Sequence, residues 1–250
     1  MSPSKEADNH LLSTWRLLKM TGHMYLRHFA LFFGYAAWLL IPLVASLVFS
    51  LSFDTTIADV ANIVFNVLLY SVLAAWLTVV VIKLTPLVAT KKTIRTRRVS
   101  TESWLALIPF MLISLVTGLI SALGFMALII PGVLFSVWFA FAPTIVALEH
   151  KNMRDALNIS RDLSRNRFSA IFWRLLIGSL VIGTCYIGVL ILMTIIAVML
   201  QGSDAQTYLL QSPSIVDEVL FRFIEILFIP AMIIYQTLLY LEVKATLDTP

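Results

Sequence analysis

Several windows of this chain run for about 20 residues with little or no charge, the length a helix needs to cross ~30 Å of hydrocarbon. They cover roughly 28–49, 60–84, 104–130, 133–148, 169–200 and 217–242. A transmembrane barrel would instead show alternating segments of about 10 residues. The apolar runs here are continuous, so the chain reads as all-α: a polytopic membrane protein with six transmembrane helices, forming a single membrane domain over 1–250. Composition supports this. The chain is 60% hydrophobic and 13% charged, with a mean hydropathy of +0.92. Soluble domains sit near 45–50% apolar and about 25% charged.

Prolines and small residues punctuate the spans. Pro42, Pro143 and Pro230 fall inside spans, and Pro42 is expected to kink the first, because proline lacks an N–H and clashes with the preceding turn. Pro131-Gly132 is expected to end the third span. Ser114, Gly118 and Ala122, four apart within it, predict a face for close helix approach. Ser100 and Thr101 are expected to cap that span, and Lys83 to snorkel from the end of the second. The N-terminus is polar and lacks the pattern of a cleaved signal peptide. Asp8 or Asn9 is expected to cap a helix over 11–25, with Leu11, Leu12, Trp15 and Leu18 on one side and Arg16 and Lys19 off it. That pattern predicts an interfacial helix. Such a basic amphipathic stretch precedes a helical hairpin three times, near residues 11, 86 and 152, with little sequence echo between the units.

Charge predicts orientation. With six spans, every lysine and arginine except Arg222 falls on one face. The positive-inside rule then places both termini in the cytoplasm of a multi-pass protein of the cytoplasmic (inner) membrane. The cations flank spans, so they read as topology signals rather than a nucleic-acid footprint.

The segment 152–168 reads as an amphipathic helix. Met153, Ala156, Leu157, Ser160, Leu163 and Phe168 recur at helical spacing, with Arg154, Asn158, Arg161 and Arg165 as a stripe beside them. Two readings fit: interfacial anchoring, or a site for a lipid headgroup or partner through Arg154, Arg161 and Arg165. Glu149, beside His150, fits either an interfacial ion pair or a proton or cation site. Arg222 and Glu225, three apart in the last span, form a candidate intramembrane polar site or a self-contained ion pair. Asn62 and Asn66 are candidate partners for them, or plain helix glue. The single Cys185 reads as a buried apolar thiol. His10, His23 and His28 lack metal-ligand spacing. No catalytic motif is present, and neither a cofactor nor a metal is expected, so the chain reads as non-enzymatic.

The central stretch carries Pro131-Gly132, Ala142-Pro143, Glu149, Ala156-Leu157, Ser160 and Leu163, in that order. It resembles the membrane-domain family of glycerophosphoryl diester phosphodiesterases and the related YciC-type inner-membrane proteins. The family closes with a Leu-Tyr-Tyr-Asp-Leu-Arg-like sequence; here Leu239-Tyr240-Leu241-Glu242-Val243-Lys244 is a looser match. In fused members the phosphodiesterase is a separate soluble barrel with acidic and His ligands, for which this chain has no room. The resemblance thus implies the membrane domain alone. The expected function is binding of membrane lipids or a protein partner through the basic interfacial helices; a transporter or lipid-handling role is the alternative.

Overall fold

A computed structural model of the chain describes residues 11–52, 56–91, 95–165, 167–201 and 215–248. Among them every regular element is helical. The helices are α1 (Thr14–Arg27), α2 (Phe29–Ala36), α3 (Leu40–Ser52), α4 (Thr56–Ala89), α5 (Thr96–Ala127), α6 (Ile129–Trp138), α7 (Ala142–Glu149), α8 (Met153–Arg165), α9 (Phe168–Gln201) and α10 (Ile215–Asp248), with a 3-10 turn at Ala37–Leu39. Six spans are long and apolar enough to cross a membrane: Phe29–Ser46, Val60–Ala89, Thr96–Ala127, Ile129–Glu149, Phe168–Met199 and Val219–Thr246. The protein is an all-α, polytopic membrane protein, and α1 and α8 are its basic amphipathic helices.

The spans are not equivalent. Half of the most apolar stretch of α4 and of α10 is buried, against none of that of α9. α10 packs against α1, α2, α4 and α9, while α5 packs against α4, α6 and α7. The core is therefore the seam of α4 and α10, where Leu77, Val80, Leu84, Ile226, Leu238 and Leu239 are buried. α9 shows its apolar surface outward, as a helix bathed in lipid can. Cys185 lies on that outward surface and is exposed, not buried as the apolar run around it suggested. In lipid an apolar run fixes membrane depth but not which face meets protein.

The helix ends correct several expectations. Asp8 and Asn9 lie outside the described residues; α1 is capped by Ser13, whose side chain accepts from the Arg16 N–H. α5 begins at Thr96, so Ser100 and Thr101 are interior, and the Thr101 hydroxyl donates to the Arg97 carbonyl at 3.0 Å. Arginine is a good helix former, and the basic segment simply continues the helix. Pro86 lies inside α4, Pro109 inside α5 and Pro230 inside α10. Pro42, expected inside a continuous span, falls in the first turn of α3, directly after the 3-10 turn. Lys83 does not reach toward water. It is buried, and its ammonium donates to the Glu102 carbonyl at 2.9 Å, tying α4 to α5.

Pro131-Gly132 does not end the third span. α5 stops at Ala127, and Leu128 is extended (φ −168°, ψ 157°). Pro131 then sits in the first turn of α6, where a missing N–H costs nothing. Gly132 is needed for a different reason. A Cβ there would lie 2.8 Å from the Phe125 nitrogen, and one at Gly124 would lie 2.9 Å from the Gly132 Cα. The two glycines let α5 and α6 fold back on each other. By contrast Gly118 and Ala122 are exposed, and a Cβ at Gly118 would meet nothing within 4 Å. The packed face of α5 runs through Phe110, Ile113, Thr117 and Gly124.

This contrast sets a test. Gly132→Ala overpacks the α5–α6 hairpin and is expected to cost about 1–3 kcal/mol, lowering the thermal stability of the detergent-solubilised protein. Gly118→Ala is expected to melt at or above the wild-type temperature. Equal melting of the two variants would refute the assigned packing face.

Candidate functional site

The fourth span is not one helix. It divides into α6 and α7 around Phe139–Phe141, and Pro143 lies in the first turn of α7. The sequence expectation of a continuous span over 133–148 with an internal proline is corrected here. A proline fits the start of a helix, and the break places it there. In the hydrocarbon zone freed backbone groups must find partners within the protein, and α8 supplies most of them. The Ser160 hydroxyl donates to the Trp138 carbonyl at 2.7 Å and accepts from the Phe141 N–H at 3.3 Å. One side chain thus spans the gap. The Ser164 hydroxyl donates to the Val137 carbonyl at 3.1 Å, and the Gln236 amide of α10 donates to the Ala140 carbonyl at 2.9 Å. Ala156, Ser160 and Ser164 are wholly buried, because only small side chains allow α8 this close. Leu157 is half-buried on the shoulder of the same face.

At the exit of α7 the chain turns through His150, whose φ of 52° is left-handed. Glu149 is paired, but not with its neighbour. Its carboxylate accepts from the Tyr240 hydroxyl and from Lys244 Nζ at 2.6 Å, both on α10. Arg167, just after α8, donates to the Thr246 hydroxyl. The looser closing motif of the sequence therefore supplies the partners of the central one.

The Arg stripe of α8 faces outward. Arg154, Arg161 and Arg165 are exposed, and among the described residues none of them forms an ion pair. The Arg161 guanidinium lies over the Trp138 ring, 5.0 Å from its centroid. That contact holds one cation against the broken span while leaving its edge open.

Arg174 lies in the second turn of α9. Its guanidinium donates to the carbonyls of Leu11 (3.2 Å), Leu12 (3.0 Å) and Ala170 (3.0 Å). Glu242 accepts from the Leu12 N–H. The N-terminal peptide is thus held between an arginine of α9 and a glutamate of α10. The Tyr235 hydroxyl donates to the Arg174 carbonyl at 2.6 Å. Tyr235 lies against Gly178, where a Cβ would run into its ring.

The second candidate site lies at the other end of α10. Arg222 Nη1 and Glu225 Oε2 pair at 2.8 Å. Tyr70 of α4 donates to Glu225 at 2.8 Å, and Arg222 stacks on its ring at 4.9 Å. Asn62 and Asn66 are not partners of that pair. Asn66 donates to Asn62, which reaches Ser46 at 3.5 Å. A cavity of about 200 Å³ opens among Pro42, Ser46, Asn66, Tyr70 and Arg222. This site and the α8 surface are not brought together. Among the described residues no group of three or more His, Cys, Asp and Glu side chains could hold a metal; His10 lies outside them.

Comparison with protein-family models, curated proteins and solved structures finds no match for this chain.

The seal on the broken span predicts an outcome. Ser160→Ala leaves a buried carbonyl and N–H without their shared partner and is expected to cost about 1–3 kcal/mol. Lys244→Ala strips Glu149 of the lysine it pairs with, and Glu149→Gln should recover part of the loss in the double variant. Both are read by thermal unfolding of the purified protein; a neutral Ser160→Ala would refute the bridging role.

Proposed function

We propose that this is a non-enzymatic membrane protein that binds anionic lipid headgroups at its basic end. The carrying observation is the placement of α8: its serines lock it to the broken span while Arg154, Arg161 and Arg165 project outward, without ion pairs among the described residues. Three cations held at an anionic leaflet contribute about 1 kcal/mol each. Rigid mounting reduces the entropy lost on binding. By the positive-inside rule this end and both termini face the cytoplasm, in the cytoplasmic (inner) membrane. The resemblance of the central and closing motifs to the phosphodiesterase-linked membrane domains and YciC-type proteins supports reading the chain as a membrane module of that kind.

A second reading, lipid handling or transport, draws on the cavity beside Arg222, Tyr70 and Asn66. It is less favoured because Arg222 and Glu225 already satisfy each other.

Native mass spectrometry of the detergent-purified protein tests the first reading. The expected result is a defined anionic lipid retained at fixed stoichiometry, and its loss in Arg154→Gln/Arg161→Gln/Arg165→Gln without a change in melting temperature. Retention unaltered by the triple variant would overturn it, and movement of a substrate across liposomes would favour the second reading.

A further inference from the structure

A second basic surface lies away from α8, at the elbow where α1 meets the end of α4. A cavity of about 450 Å³ opens there, within the ~300–1,000 Å³ range of small-molecule sites. Its floor is apolar, with Met24 and Val88 buried beneath it. Its rim carries Arg27, Lys91, His23 and His28, and among the described residues no acidic side chain lines it. Among the described residues neither Arg27 nor Lys91 forms an ion pair.

Two backbone features aim charge at this groove. Lys91 adopts φ 53°, the left-handed position that ends a helix and that glycine or asparagine usually fills. Its N–H donates to the Val88 carbonyl at 3.2 Å, closing the last turn of α4 beside the cavity. His28 breaks the chain between α1 and α2, so Arg27 ends α1 at the elbow. Both helices end here, and each C-terminus carries about half a negative charge. Two full positive charges outweigh them, and the last carbonyls are already engaged by the His28, Thr90 and Lys91 N–H groups.

Apolar floor and cationic rim together match a molecule with an acyl chain and a phosphate. We propose that this groove binds one anionic phospholipid, its phosphate between Arg27 and Lys91 and its upper acyl chain along Met24 and Val88. It rests on the reading of the chain as a binder of anionic headgroups, but uses none of the α8 arginines.

The test is a native mass spectrometry titration of the full chain in detergent with phosphatidylglycerol, using phosphatidylcholine as the neutral probe. The variants are Arg27→Gln/Lys91→Gln, Ala89→Trp, which fills the groove without changing charge, and Arg154→Gln/Arg161→Gln/Arg165→Gln. The expected result is that the first two each weaken one phosphatidylglycerol site roughly tenfold or more, while the α8 variant leaves that site intact. An unchanged Arg27→Gln/Lys91→Gln protein overturns the groove whatever the α8 variant does. Loss on charge removal but not in Ala89→Trp also overturns it, since diffuse attraction needs no cavity. Displacement of the lipid by sn-glycerol 3-phosphate would show a free-phosphate site and overturn it too. Equal binding of both lipids by wild type would remove this site and the α8 reading together, whereas an unchanged α8 variant alone would remove only the latter.

Discussion

A single hydroxyl bridges the gap in the fourth span. Ser160 donates to Trp138 and accepts from Phe141, so the break between α6 and α7 leaves neither of those groups bare. Unpaired backbone in hydrocarbon costs several kcal/mol per group. A break there is tolerated only with a partner at hand, and that partner fixes α8 in place. The position of α8 in turn sets the α7–α8 turn at His150, the reach of Glu149 to α10 and the outward direction of three arginines. The small residues at 156, 160 and 164 therefore serve approach and hydrogen bonding together.

The two ends of the bundle treat charge differently. At the basic end two carboxylates serve internal ties, Glu149 to Tyr240 and Lys244 and Glu242 to the N-terminal backbone, while Asp155 and Asp162 on α8 are exposed. Arg174 and Lys83 likewise serve carbonyls rather than solvent. Arg154, Arg161 and Arg165 on α8, and Arg27 and Lys91 at the α1–α4 elbow, are exposed and form no ion pair among the described residues. At the far end Arg222 and Glu225 close on each other under Tyr70. Surplus positive charge is thus concentrated where an anionic leaflet would meet it.

Much of this fold is legible in the sequence, because hydrocarbon thickness imposes a length that apolar runs reveal directly. Six helical spans long and apolar enough to cross a membrane are present, as the apolar runs suggest. The fourth does not behave as one helix, since its apolar run hides a break whose sign, Pro143, looks the same as a kink. Proline in Pro131-Gly132 was read as a stop, whereas its place in the first turn of α6 depends on Leu128 turning extended one helix earlier. The Ser114, Gly118 and Ala122 ladder has the right spacing on the wrong face, because spacing does not say where the neighbour lies. Ser160 stood out within the central motif, but Ser164, Gln236 and Arg174 did not. Their partners are backbone atoms of remote segments, and no residue pattern encodes those.

Hydrogen–deuterium exchange over residues 137–142, compared between wild type and Ser160→Ala, tests the bridging of the broken span most directly. The account predicts slow exchange at Phe141 in wild type and a marked acceleration confined to this segment and to α8 in the variant. Equal protection in the two proteins would contradict it, for the break would then be sealed by something other than the serine that α8 brings to it.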